Sequence, residues 1–360
     1  MPARNSKTHS LSGASASSSS VIGGIILGMV QTAGIQENRI ENNGVEPGDP
    51  LCGIFILNGD NINISNNIIL DNGISGVGTG ENDPGDRPGL RAGIMVRFTF
   101  KATRVSRSSF LSNDGVPAVK VHDNVVVQPT GHALFILAFG PVSVVSNQFT
   151  SFDTVEKDPF SLLASTVLIL NLGFSKDLMI LAFKKLANKN PAYDMKNRFK
   201  EENLKKMRLL QLLPDGKVMF TGNQSMLDMR SGSDNIALSS QLIASLDDVA
   251  YNTNQSECAA MLLMLRGGFS IDRVLWDTTL IGFSVRANDN RFADGTTMNM
   301  SYSLVSYGFM NTAIGNQATH CLHVLGGKIK EIHNIILFDD KCSDKKKKYN
   351  IALNTPLYTK

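Results

Sequence analysis

Along most of the chain, short apolar runs are interrupted at recurring points by asparagine. In INISNNIILDNG, from Ile62 to Gly73, Asn66, Asn67 and Asn72 are among the asparagines that interrupt a mostly aliphatic stretch. Asparagine is a poor strand former and a good turn former. The interruptions align on one pattern: an apolar residue, two or three small or polar residues, Asn, one residue, then an apolar residue. It fits IQENRI at Asn38, ISNNII at Asn67, VHDNVV at Asn124 and VVSNQF at Asn147. It continues in FTGNQSM at Asn223, YNTNQS at Asn254, ANDNRF at Asn290, IGNQAT at Asn316 and EIHNIIL at Asn334. VSRSSF reads as a variant with Ser109 in the asparagine slot. A second short apolar strand precedes many of these anchors, as in GIFIL, GIMVRF, HALFILAF and TLIGFSVR.

These features predict a solenoid. A short alternating strand turns one face inward and one outward. A residue that tolerates left-handed or bridge geometry turns the corner, and asparagine does so better than most. Strand stacked on equivalent strand then aligns the asparagine amides in a ladder that bonds to itself and to backbone. A lone coil cannot fold, because ordering each residue costs about 1–2 kcal/mol of backbone entropy while each buried aliphatic returns only about 1.5–3 kcal/mol. Neighbouring coils must share the hydrogen bonds and cover the open ends. The anchors are unequally spaced, the longest step being the 76 residues from Asn147 to Asn223. A repeat of about twenty residues carrying loops of different length accounts for this.

The pattern resembles the right-handed parallel β-helix repeat superfamily over most of residues 21–340. The resemblance implies an all-β fold of about ten irregular coils. SLDDVAYNTNQSEC, FSVRANDNRF and IGNQATHCLHV are also similar to β-helix segments of large uncharacterised bacterial proteins. Some proteins of that sort are associated with phage-tail-like particles, which implies an assembly role.

The long step contains STVLILNLG, expected as a strand, followed by SKDLMILAFKKLANKNP and MKNRFKEENLKKMRLLQLL. Ser175 as N-cap, Asp177 in the first turn, Lys184 and Lys185 near the end and Pro191 as stop predict a helix. Phe199, Leu204, Met207, Leu210 and Leu213 form an apolar stripe that predicts a second. A helical insertion is therefore expected at about 175–213, with ten Lys or Arg against four Asp or Glu from Lys176 to Arg208. It reads as a flap with a solvated basic face, or as a docking element for a partner chain.

Composition changes this picture little. The 360 residues are 42% hydrophobic and 19% charged, with a net charge of +3 that calls for no nucleic-acid partner. No apolar run is long enough to span a bilayer. Residues 1–20, rich in Ser, are expected as a disordered leader, with a signal peptide as the other reading of Arg4, Lys7 and VIGGIILGMV. Residues 341–360 form a basic tail in which Lys345–Lys348 is a solvated charge run. Cys52, Cys258, Cys321 and Cys342 show neither CxxC nor zinc spacing and read as buried reduced thiols.

Candidate chemistry is sparse. The acids are too scattered for a pectate-lyase-like calcium cluster, and a polygalacturonase-like order of motifs fails at the first motif. A glycosidase needs two carboxylates opposed across a sugar. Asp247 and Asp248 are adjacent in sequence and read as turn residues. His320 and His323 flank Cys321 without two further ligands, so no metal and no cofactor are expected. What is left is a surface, with Asp247, Asp248, Arg286, Asp289 and Arg291 as ligand-binding candidates, of which Asp247, Arg286, Asp289 and Arg291 are expected along one groove of the later coils. Aromatics total 7%, mostly phenylalanines expected at inward positions, which argues against a carbohydrate platform. The expected function is a non-catalytic structural or recognition β-helix, a surface or particle component or a glycan-binding module. A polysaccharide lyase or hydrolase on the same scaffold is the alternative. The expected partners are other subunits, through the insertion or the end coils, or polysaccharide. The expected setting is extracellular, cell-surface or particle-associated.

Overall fold

The computed structural model describes residues 23–43, 51–73, 91–100, 117–152, 165–174, 215–229, 237–260, 262–264, 270–272, 274–294 and 302–337. Among these residues the regular structure is entirely strand. The strands stack in parallel into three columns, giving a solenoid-like arrangement. Coil 1 consists of Gly23–Val30, Ala33–Gln36 and Arg39–Glu41. Coil 2 is Leu51–Gly59, Ile62–Ser65 and Ile68–Leu70, and coil 3 is Arg91–Phe100, Val119–His122 and Val125–Gln128. Coil 4 is His132–Phe139, Val142–Val145 and Gln148–Ser151, and coil 5 is Val167–Phe174, Val218–Thr221 and Gln224–Met229. Coil 6 is Ala237–Leu246, Asp248–Asn252 and Gln255–Ala260. In coils 7 to 9 one long strand runs through the first two columns: Val274–Asn288, Tyr302–Ile314 and Cys321–Ile332. Short third strands follow at Arg291–Phe292, Gln317–Ala318 and Ile335–Ile336. A small antiparallel hairpin, Leu262–Met264 with Ser270–Asp272, lies between coils 6 and 7.

The second corner, between the second and third columns, carries the ladder. Asn38 Nδ2 donates to Asn67 Oδ1 at 3.0 Å, Asn67 to Asn124 at 2.9 Å, Asn124 to Asn147 at 2.9 Å and Asn147 to Asn223 at 2.9 Å. Asn223 donates to Asn254 at 3.3 Å, Asn254 to Asn290 at 3.1 Å, Asn290 to Asn316 at 2.8 Å and Asn316 to Asn334 at 3.0 Å. Each Oδ1 also accepts the backbone N–H of the preceding rung, as Asn223 does from Asn147 at 2.9 Å. Each interior amide further donates to a carbonyl in the coil before, as Asn223 does to Val144 at 3.0 Å. The amides thus satisfy the backbone groups that the bend removes from the sheets.

Two corrections to the sequence reading follow. The ladder passes directly from Asn67 to Asn124 with no rung between them, and Ser109, expected as a variant rung, lies outside the described residues. One third strand per coil makes nine coils among the described residues, against the ten or so expected. The left-handed conformation, moreover, belongs to the residue before each ladder asparagine. Glu37, Asn66, Asp123, Ser146, Thr253, Asp289 and His333 have φ between 52° and 57°, with Gly222 at 66° and Gly315 at 68°. The asparagine contributes its amide and its neighbour contributes the strained backbone.

Thr253 is the costliest of these neighbours, because a β-branched side chain crowds the left-handed region. Thr253→Gly is expected to raise stability by about 1 kcal/mol, read as a higher urea midpoint at unchanged slope.

This corner has the same two-residue length in every coil, whereas the first and third corners vary. The helical insertion expected at 175–213 leaves at the first corner of coil 5 and lies outside the described residues, as do the leader and the tail. Among the described residues there is no helix.

Inward rows fill the core with Ile35, Ile64, Val121, Val144, Phe220 and Tyr251 from the second column. Tyr251 stacks on Phe220 at 5.4 Å and 2° and on Phe292 at 6.3 Å and 8°. The first column differs. Its alternate row, Phe55, Met95, Phe135, Leu168 and Leu242, forms a separate buried cluster. The first sheet is therefore apolar on both sides through coils 2 to 6, consistent with its nearly continuous hydrophobic runs.

Candidate functional site

The five surface candidates do not share a groove. Asp248 and Arg286 lie on the outer side of the second column, where Asp248 pairs with Ser284 and Arg286 with Ala250. Asp289 turns the second corner at φ 55°. Arg291 lies beyond that corner on the third column, in an exposed row with Gln148, Gln224, Gln255 and Gln317. The bend at Asn290 therefore separates Arg286 from Arg291. Asp247 is the single residue between the first and second strands of coil 6 and is buried.

Asp247 is built into the first corner. Its backbone N–H donates to Ser245 Oγ at 2.9 Å, its Oδ2 accepts the Gly216 N–H at 3.1 Å, and its carbonyl accepts the Phe283 N–H at 2.8 Å. Burial holds its carboxyl above the usual range, the charge of Asp248 adds to this, and the Gly216 N–H opposes it. Its side chain holds the bend, while Asp248 projects outward, so the two carboxyls do not oppose one another across a sugar.

The same corner in coils 7 and 8 carries the feature that residue patterning missed. Phe283 and Phe309 stack face to face at 5.5 Å and 4°. Phe309 is 46% exposed, and Tyr307, two residues earlier in the same strand, is 59% exposed. Ile281, Tyr307 and Leu325 form an exposed outward row on the adjoining first column. Lys328 and Lys330 stand outward in coil 9, and Lys330 aligns through Thr312 with Arg286. Aromatic side chains beside cations on a flat flank form a surface that can stack a ring and pair an anion.

A second cluster lies inside coils 6 to 8. Ser256 Oγ donates to Asp277 Oδ1 at 2.7 Å, Gln241 Nε2 to Ser256 Oγ at 2.6 Å, and Tyr251 Oη to Gln241 Oε1 at 3.3 Å. Ser303 Oγ donates to Asp294, and the His320 N–H donates to Ser303 Oγ at 3.0 Å. Asp277 and Asp294 hydrogen-bond to each other. Burial, and then the neighbouring carboxylate, push Asp277 well above the ordinary value, so it holds the proton and donates it. Burial raises Asp294 to about 6, and the bonds from Ser303 and Asp277 limit the rise. With Asp277 fully buried and Asp294 4% exposed, this pair braces the interior and meets no substrate.

Two histidines are tied into the coils by hydrogen bonds. His132 is buried, donates from Nδ1 to the Ser165 carbonyl at 2.6 Å and is pushed down to about 4 by burial, so it is neutral. His122 bridges Asp123 at 2.8 Å and Asn63 at 3.1 Å on the outer flank. Among the described residues no group of three or more His, Cys, Asp or Glu could hold a metal ion. Cys52 and Cys258 are buried thiols. Cys321 is disulfide-bonded, which corrects the expectation of four reduced thiols.

Among the described residues no helix is long and apolar enough to cross a membrane. No protein-family model matches the chain, and neither a curated protein nor a solved structure resembles it significantly.

Proposed function

We propose that the chain is a right-handed parallel β-helix that recognises glycans without catalysis, as a surface or particle component. The right hand follows from the strong chirality of connections between parallel strands. The observation that carries the reading is the aromatic surface at the first corner, where Phe309 and Tyr307 stand exposed beside outward lysines. Two facts about the acids favour recognition over hydrolysis: Asp247 is committed to the bend and the Asp277–Asp294 pair is buried. The disulfide at Cys321 supports an oxidising, extracellular setting.

The test is a polysaccharide panel read in parallel for binding, for new reducing ends and for unsaturated products, with light scattering to fix the oligomeric state. Saturable binding without product is expected. Turnover of any substrate would replace recognition with catalysis.

A further inference from the structure

The stacked rings at the first corner stop one coil short. Phe283 in coil 7 and Phe309 in coil 8 occupy consecutive rungs. The position in register with them in coil 9 is Gly327, since Gly308 pairs with Gly326 and Met310 with Lys328. A Cβ at Gly327 would lie 3.3 Å from Phe309 Cδ2 and Cε2, so the ring reaches the space that a coil-9 side chain would occupy. The glycine leaves it there, and Phe309 is 46% exposed. The next residue on the same rung is Lys328, exposed and outward, and Lys330 follows two residues on. The inward position between Lys330 and the bend is Glu331, in register with the buried Ala313, so that acid does not share the outer side with the lysines. Tyr307 flanks Phe309 across Gly308.

We propose that this glycine rung is a saccharide subsite, in which a pyranose ring bearing a carboxylate stacks its C–H face on the exposed part of the Phe309 ring beside Gly327 and pairs its carboxylate with Lys328. The inference rests on the glycan-recognition reading and gives it a place and a ligand class. The flat apolar face of a pyranose continues the aromatic stack that the protein leaves unfinished. The lysine cations select the acidic sugar over its neutral counterpart, and this selection weakens with salt. Because successive rungs lie about 4.8 Å apart, further units of an extended chain would run along the solenoid axis toward Arg286.

The experiment measures binding of uronate-containing and neutral oligosaccharides to the full chain by calorimetry, with NMR of the sugar protons. The expected result is preferential binding of the acidic oligosaccharides, with upfield ring-current shifts of the stacked protons. Phe309→Leu keeps an apolar side chain but should abolish those shifts and weaken binding at least tenfold. Gly327→Val, which fills the rung, should do the same, and circular dichroism checks that each variant keeps its strand content. Lys328→Gln should remove most of the acidic preference and its salt dependence while retaining the ring-current shifts. Acidic oligosaccharides that bind equally well to Phe309→Leu and Gly327→Val would place the site elsewhere and leave glycan recognition standing. Equal affinity for neutral and acidic sugars would overturn the carboxylate assignment. No binding to any saccharide in the panel would overturn both this subsite and the recognition reading.

Discussion

Asn223→Ala is expected to lower stability by about 3–5 kcal/mol, among the largest effects available from one polar substitution in this chain. Asn223 is fully buried. Its Oδ1 accepts the N–H and the Nδ2 of Asn147, both at 2.9 Å. Its Nδ2 donates to the carbonyls of Val144 at 3.0 Å and Thr221 at 3.2 Å and to Asn254 Oδ1 at 3.3 Å. Alanine deletes all of these and strands donors and acceptors in a corner closed to water, each costing about 1–3 kcal/mol. Asn38, only half-buried in the first coil, should cost far less, because water replaces part of what alanine removes. Gln255→Ala, on the exposed row one residue past the ladder, should stay within about 0.5 kcal/mol. Urea unfolding of the three variants gives the ordering. An Asn223 variant as stable as the Gln255 variant would mean that the ladder accompanies the bends without holding them.

The second large effect is on pH dependence. Both carboxyls of the buried pair lie above their ordinary value of 3.8, Asp294 at about 6 and Asp277 well above it. A carboxyl that is harder to ionise in the folded chain favours folding at low pH. The stability from this pair is therefore whole below about pH 4. It is lost as the pH rises through 6 and on toward the ionisation of Asp277. Asp277→Asn keeps the geometry: its Oδ1 accepts from Ser256, and its Nδ2–H replaces the shared proton toward Asp294. The variant should be more stable than the parent near pH 8 by about 1–3 kcal/mol, with a flatter profile from pH 5 to 8. Asp277→Leu, which strands Asp294 and Ser256, should destabilise at every pH. Parent and Asp277→Asn profiles that run parallel across that range would show that the pair does not hold the proton.

The ladder could be found from residue types because one corner keeps its length. Every insertion enters at the first or third corner, so the local motif at Asn38, Asn147 or Asn290 is unbroken although the intervals between motifs vary. A polar residue between apolar ones, as at Ser109, satisfies the same pattern, and only the register from Asn67 to Asn124 shows that the ladder has no rung between them. The role of the residue before each asparagine was obscured by variety: Glu37, Ser146, Thr253 and His333 share no chemistry beyond tolerating a positive φ under constraint. The continuous runs GIFIL and HALFILAF carry a readable sign that both sides of the first column are covered. Residues that alternate into the core should alternate with polar ones unless the other side is also buried.

By itself, then, the sequence determined the secondary-structure class, the parallel stacking and the asparagine corner, because these arise from alternation and turn chemistry within about six residues. Tertiary structure alone decided which residues meet across rungs. Phe283, Phe309 and Gly327 share a column, and Asp277 meets Asp294 inside it, because the coil lengths bring them into register. That register is set by hydrogen bonding between strands far apart in the chain. No local pattern encodes it, since each inserted loop shifts the count.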